Sequence, residues 1–169
     1  MTQEKVMNVV LAGLGGQGVV KASDILADVA FRAGLDVKKS EIHGMSQRGG
    51  SVATDVRYGT VVNSPMITRG EADCLVVVAP DQVEVNRGVL KPGGVLIEPA
   101  VLANAPGKLP AKSINVALLG ALSTHLDLPV ALWEDAIRAN LAEKHHKLNL
   151  EAFAQGRAAA EGVSEGRIA

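Results

Sequence analysis

Apolar residues recur along this chain with two different periods, and their alternation predicts a layered α/β domain. Val6 to Ala12 is a short, β-branched apolar run of the kind that makes a buried strand, and it leads straight into Gly13-Leu14-Gly15-Gly16-Gln17-Gly18. Behind that turn, Ala22, Ile25, Leu26, Val29, Ala30 and Ala33 follow the stripe of one helix face. Gly34 stands where a glycine would stop the helix. Asp36 to Ser40 predicts a second strand. Val52, Thr54, Val56 and Tyr58 then alternate with Ser51, Ala53, Asp55 and Arg57, the period of a strand with one wetter face. Gly59-Thr60 turns the chain, and Val61-Val62 is expected to pair back.

The pattern continues with a second buried strand over Asp73 to Ala79. Pro80-Asp81 starts a short helix from Gln82 to Leu90, Pro92-Gly93-Gly94 makes a turn, and Val95 to Glu98 forms another strand. Ala100 to Lys112, broken by Pro106-Gly107 and Pro110, reads as a loop. The last third is helical. Asn115 is expected to cap a helix whose apolar face is Ala117, Leu118, Ala121 and Leu122. Pro129 precedes another with Leu132, Trp133, Ala136, Ile137 and Leu141 inward. Leu148 to Gly156 makes a final short helix, and residues 157–169 are expected to be loosely held because apolar content falls away after Ala160. No repeat or linker divides the chain, so residues 1–169 form one domain, predicted as three α/β/α layers around a mixed, Rossmann-like sheet.

One stretch fits neither period. Glu41-Ile42-His43-Gly44-Met45-Ser46-Gln47-Arg48-Gly49-Gly50-Ser51 is too polar for a core strand and too glycine-rich for an amphipathic helix. It predicts a shaped loop, where glycine lets a ligand or another backbone approach closely. Glu41 and His43 are two apart, so on an extended segment they share a side, as an acid/base pair or as a pair that fixes the loop. Arg48 suits bidentate recognition of a carboxylate or phosphate, or a partner's acid. The upstream turn matches G-x-G-x-x-G between a strand and a helix, where Gly13, Gly15, Gly16 and Gly18 would bring backbone N–H groups to an anion. Gln17 is bulky for a nucleotide site, and Glu41 is the one acid placed to follow the second strand. His145-His146 lies in a charged stretch with Lys144 and Lys147, and a solvated face is expected there rather than metal ligation.

Composition narrows the choice. With 47% hydrophobic residues but only 2% aromatic, the core must be built from Val, Leu, Ile and Ala. A net charge of −1 without a basic block, and few rings to stack on, argue against nucleic acid as a partner. No apolar run reaches spanning length and no secretory h-region opens the chain, so no membrane is expected and the compartment is expected to be cytoplasmic. Cys74 is the only cysteine and sits in an apolar run, so an iron–sulfur cluster or structural zinc would have to belong to a partner.

Gly-Leu-Gly-Gly-Gln-Gly-Val-Val together with Ser-Glu-Ile-His-Gly-Met-Ser-Gln-Arg-Gly-Gly-Ser-Val resembles the gamma-type subunit of 2-oxoacid:ferredoxin oxidoreductases. Within that family the likeness is strongest to the indolepyruvate type, whose small subunit is called beta. It continues through Ser64-Pro65, Ala72-Asp73, Lys91-Pro92-Gly93-Gly94, Asn115 to Gly120 and Asn149 to Phe153, from Val6 to about Gly156. The resemblance implies the gamma-domain fold of pyruvate ferredoxin oxidoreductase. It also implies oxidative decarboxylation of an aryl 2-oxoacid, such as indolepyruvate or phenylglyoxylate, with coenzyme A to acyl-CoA and carbon dioxide. Thiamine diphosphate, magnesium and 4Fe-4S clusters would sit in partner subunits, ferredoxin or another acceptor would take the electrons, and this chain would not be active alone. Gly13, Gly15, Gly16, Gln17, Gly18, Ser46, Gln47, Arg48, Gly49, Gly50 and Ser51 would form the surface toward coenzyme A or the partner's active site, with His43 and Glu41 as candidate catalytic groups. Two other readings stay open: a free-standing NAD(P)-binding module, and a purely structural subunit of an oxidoreductase complex.

Overall fold

The computed structural model describes residues 5–43 and 50–166, with side chains to residue 162. Five strands form one sheet: β1 (Met7–Leu14), β2 (Asp36–His43), β3 (Ser51–Gly59), β4 (Ala72–Val77) and β5 (Leu90–Ile97), in the order β2-β3-β1-β4-β5. β4 runs parallel to β1 and β5 parallel to β4, whereas β3 is antiparallel to both β1 and β2. The sheet is therefore mixed, and β3 is the one reversed strand.

The period-2 reading of β3 holds in detail. Val52, Thr54, Val56 and Tyr58 are buried toward the helices, and Ala53 packs on the opposite face. The helical side carries α1 (Val19–Arg32) and α3 (Ile114–Ser123) against the strands, with α4 (Val130–Asn140) packed on α1 and α5 (His146–Gly166) packed on α3. The other face has a thinner cover. There Val10, Ala12, Leu75 and Val77 pack under Ile67, Val89 and Val83, the last from the one-turn helix α2 (Val83–Asn86).

Several expectations shift at element ends. Val61-Val62 adds no strand, because side chains take its polar groups. Val62 donates its N–H to Asp36 Oδ2 at 2.7 Å, and Lys38 Nζ donates to the Val62 carbonyl. The expected helix over 82–90 is broken into 3₁₀ turns around α2. β5 starts at Leu90, so Pro92-Gly93-Gly94 lies inside it as an irregularity opposite β4 rather than before it. The 100–112 tract carries two 3₁₀ turns, Pro99–Asn104 and Ala111–Ser113. His146 is not merely solvated, since its Nε2 lies 2.7 Å from the Leu141 carbonyl and closes the α4–α5 connection.

The largest difference is α5, which runs on to Gly166 and buries Ala159 and Ala160. Its weak apolar signal has a geometric cause. A Cβ on Gly156 would stand 1.7 Å from the Ala117 carbonyl oxygen, and one on Gly120 would stand 2.1 Å from that of Phe153. Backbones that pack this closely need small residues rather than large apolar ones, so the helix face carries little hydropathy to read.

Candidate functional site

The glycine turn leaves the C-terminal end of β1 and opens α1. It is built from its own polar groups. Gln17 folds back so that its Oε1 accepts the Leu14 N–H at 2.8 Å, while the Gln17 N–H donates to the Leu14 carbonyl at 3.2 Å. Gly18 takes φ 76°, a left-handed conformation that a side chain strains. Its carbonyl accepts Asn115 Nδ2 from α3 at 3.1 Å as well as the Ala22 N–H at 2.9 Å. As the N-cap of α1, Gly18 brings no side-chain acceptor to the first-turn N–H groups.

The two described ends of the polar stretch come to the same place from the other side: β2 ends at His43 and β3 begins at Ser51, on neighbouring strands beside β1. The Gly15 N–H donates to the Gly50 carbonyl at 2.8 Å and fastens the turn to the end of that stretch. Between them lies a cleft of about 250 Å³ lined by Leu14, Gly15, Gly16, the first turn of α1 as far as Lys21, and His43.

A run of polar side chains connects this cleft to the body of α1. On β2 the side chains of Lys39, Glu41 and His43 share the helix-facing side, as their spacing requires. Lys39 Nζ donates to Asp24 Oδ1, to Ser23 Oγ at 3.3 Å and to Glu41 Oε1 at 3.0 Å. Glu41 Oε2 lies 3.5 Å from His43 Nε2. The hydrogen bond from Lys39 outweighs burial and holds the Glu41 carboxyl below the usual range, with a smaller pull from His43. For Lys39, burial disfavours the charge, but hydrogen bonds to Asp24 and Glu41 more than offset it and raise its pKa.

Of the residues expected to matter, Gly13, Gly15, Gly16, Gln17, Gly18, Glu41, His43, Gly50 and Ser51 are brought together around β1, whereas Ser46, Gln47, Arg48 and Gly49 lie outside the described residues. Two expectations change. Gln17 does not offer its carbonyl oxygen outward, because the turn uses it. Asn115 does not cap α3. It lies within the first turn of that helix, 8% exposed, and supports the glycine turn instead. Sequence reasoning also passed over Asp24 and Lys39, whose only signal was that Lys39 falls in register with Glu41 and His43. A second cleft of about 410 Å³ lies on the far side of the turn, against Val78, Lys112 and Ile114. A larger one, about 640 Å³, sits at the α3–α4 connection, but its Arg157 is bonded to Ser123 Oγ at 2.7 Å and to Glu161 at 3.4 Å. It shares no residue with either motif.

The family model for pyruvate ferredoxin/flavodoxin oxidoreductase matches residues 8–112, which include both motifs. The chain belongs to that family. It is 31% identical to the indolepyruvate oxidoreductase subunit IorB of Archaeoglobus fulgidus, over 89% of this chain and 93% of that protein. Two solved structures show the same fold. The gamma subunit of a keto/oxoacid ferredoxin oxidoreductase from Geobacter sulfurreducens is 22% identical, with a TM-score of 0.77 over 94% of this chain and 98% of that one. The 2-oxoglutarate:ferredoxin oxidoreductase of Magnetococcus marinus, solved with 2-oxoglutarate, coenzyme A and succinyl-CoA, is 23% identical, with a TM-score of 0.75 over 95% of this chain. Our chain spans only 32% of that longer one.

The fold shared with these gamma subunits is the mixed α/β sheet described above. The donors for a redox centre are a separate matter. Cys74, the single cysteine, is buried in β4, and its thiol is pushed up to about 11 by burial and by the Asp73 carboxylate. Among the described residues no group of three or more His, Cys, Asp and Glu side chains is placed to hold a metal ion. These residues do not fit an iron–sulfur cluster, which needs several thiolates. Among the described residues, no helix is long and apolar enough to cross a membrane.

Proposed function

We propose that this chain is the non-cluster subunit of a cytoplasmic, thiamine diphosphate-dependent 2-oxoacid:ferredoxin oxidoreductase whose substrate is an aryl 2-oxoacid such as indolepyruvate or phenylglyoxylate. The overall change converts the 2-oxoacid and coenzyme A to acyl-CoA and carbon dioxide, releasing a proton and two electrons that pass to ferredoxin or another acceptor. Thiamine diphosphate, with its magnesium, supplies the carbanion chemistry in a partner subunit, and the clusters of a partner carry the electrons. This chain contributes binding and closure. In this reading the cleft between Gly15, Gly16 and His43 takes a phosphate of coenzyme A.

The observation that supports the site reading is the Gly15 N–H bond to the Gly50 carbonyl at 2.8 Å, which fastens the glycine turn to the end of the polar stretch. Around it stand the features an anion needs. The first-turn N–H groups of α1 have no side-chain cap, and Lys21 and His43 line the cleft. Ser46, Gln47, Arg48 and Gly49 belong to the same proposed surface, Arg48 as a further phosphate partner.

The test is the complex co-expressed with its thiamine- and cluster-bearing subunits, assayed by 2-oxoacid-dependent dye reduction. We expect aryl 2-oxoacids to be turned over faster than pyruvate or 2-oxoglutarate. His43→Gln should raise the KM for coenzyme A about tenfold, equivalent to roughly 1.4 kcal/mol of lost binding. A preference for pyruvate would sink the substrate assignment. An unchanged KM for coenzyme A in both His43→Gln and Lys21→Met would sink the site.

A further inference from the structure

We propose that Lys39 is a positioning residue for this cleft, aiming His43 into it through Glu41 from an anchor on α1. The inference rests on the coenzyme A reading above and adds the device that sets its geometry.

The arrangement runs in a circuit. Ser23 Oγ donates to the carbonyl of Val20, in the first turn of α1, at 2.6 Å and accepts Lys39 Nζ at 3.3 Å. Lys39 also takes Asp24 of α1 on one side and Glu41 Oε1 on the other, at 3.0 Å. The second oxygen of Glu41 faces His43 Nε2 at 3.5 Å, and His43 and Val20 both line the cleft. The circuit therefore starts and ends on the cleft wall, and it ties the helix that opens from the glycine turn to the strand that carries the imidazole.

Exposure argues that the role is positional rather than stabilising. Asp24, Lys39 and Glu41 have side chains 35%, 27% and 34% exposed, and ion pairs this open add little to stability. What they do add is direction. With one oxygen held by the lysine, the Glu41 carboxylate presents its other oxygen to His43, which is itself 60% exposed. A lysine suits this place because its ammonium has three donors, matching Asp24, Ser23 and Glu41.

The experiment uses the assembled complex, with the KM for coenzyme A and kcat for dye reduction measured separately. Lys39→Met should raise the KM for coenzyme A about tenfold while changing kcat less than about threefold, since a misaimed binding group weakens binding more than chemistry. Lys39→Arg should recover most of the loss. Asp24→Asn, which loosens the anchor without changing a residue of β2, should give a smaller rise in the same direction. The double variant Lys39→Met/His43→Gln should be no worse than His43→Gln alone, because both changes interrupt one circuit. A wild-type KM in Lys39→Met beside a raised one in His43→Gln overturns the positioning role and leaves the cleft standing. Full additivity of the two changes also overturns it. A wild-type KM in His43→Gln itself also overturns this inference, and the cleft reading then stands or falls with Lys21→Met.

Discussion

Two polar networks sit at opposite ends of the sheet, and only one of them ends beside a cleft. At the starts of the parallel strands, Asp73 Oδ2 accepts the Asn8 N–H at 2.8 Å and its other oxygen holds Lys91. Asn8 Oδ1 accepts Arg57 Nε at 2.8 Å, Asn8 Nδ2 donates to the Glu71 carbonyl at 3.2 Å, and Arg57 Nη1 reaches the Ser64 carbonyl at 2.8 Å. That network joins β1, β3, β4 and β5 to the 60–71 segment and closes on backbone. At the other end, the network through Lys39 and Glu41 finishes on an exposed imidazole beside a cleft. Both are dense in charge. What separates them is where the last group points, so polar density alone is a poor guide to a site.

The sharpest way to break the comparison is at the closed end. Asp73→Ala leaves the Asn8 N–H without its acceptor inside the sheet and Lys91 without its carboxylate, and the Asp73 side chain is only 12% exposed. Losing a partly buried hydrogen bond to a charged group costs about 3 kcal/mol. For a domain of this size that is a fall in Tm of roughly 6–12 °C. Thermal unfolding of the isolated chain measures it, and an unchanged Tm would mean the closed network is only decorative. The complex, assayed well below the new Tm, should keep its KM for coenzyme A.

Next in size is Gly18→Ala, which acts on the open end through the backbone. A side chain at φ 76° costs about 1–2 kcal/mol, and its Cβ would stand 2.4 Å from Asn115 Nδ2. Here loss of stability and loss of coenzyme A binding should arrive together, because the same displacement reshapes the turn. If the variant unfolds earlier but binds normally, the turn is a support for α1 and not part of the cleft.

How much of this could be read from the sequence depends on how far apart the partners lie along the chain. The strand–glycine–helix opening and the alternation over β3 are local, and both are found where their periods put them. The Glu41–His43 pair is also local, two residues apart on one strand, and its side-sharing follows from the pleat. Asn115, by contrast, meets Gly18 across 97 residues of chain, and Asn8 meets Asp73 across 65. Nothing in either neighbourhood marks those pairings. An asparagine at the start of a helix looks like a cap, and the cap reading fails because α3 begins at Ile114, so Asn115 lies inside its first turn and its amide donates to the Gly18 carbonyl. The α3–α5 contact is hidden for another reason. Gly120 and Gly156 let two backbones meet, and a contact made by missing side chains leaves no apolar period to detect.

The smallest expected effect tests whether the closed end is optimised throughout. Asp55 lies on the thinly covered face, and its carboxylate accepts the Ile67 N–H at 2.9 Å. Burial raises its pKa, and the bond from Ile67 and the charge of Arg57 only partly offset that. A carboxyl whose pKa is raised on folding contributes stability when protonated, below its unfolded pKa. That contribution is lost as pH rises through the folded value. At neutral pH the ionised Asp55 therefore works against the fold. Asp55→Asn keeps a carbonyl oxygen for Ile67 and removes the charge, so it should raise Tm slightly at pH 7. The gain should shrink as pH falls below the unfolded pKa of Asp, about 3.9, where the wild-type carboxyl is protonated too. Because Asp55 is only half buried, the difference is expected to be about 2 °C at most, in line with the few tenths of a kcal/mol typical of partly solvated groups. A lower Tm at pH 7 would show that Arg57 gains more from a charged neighbour than the fold loses by burying one, and would make the closed network an electrostatic device rather than a hydrogen-bonded one.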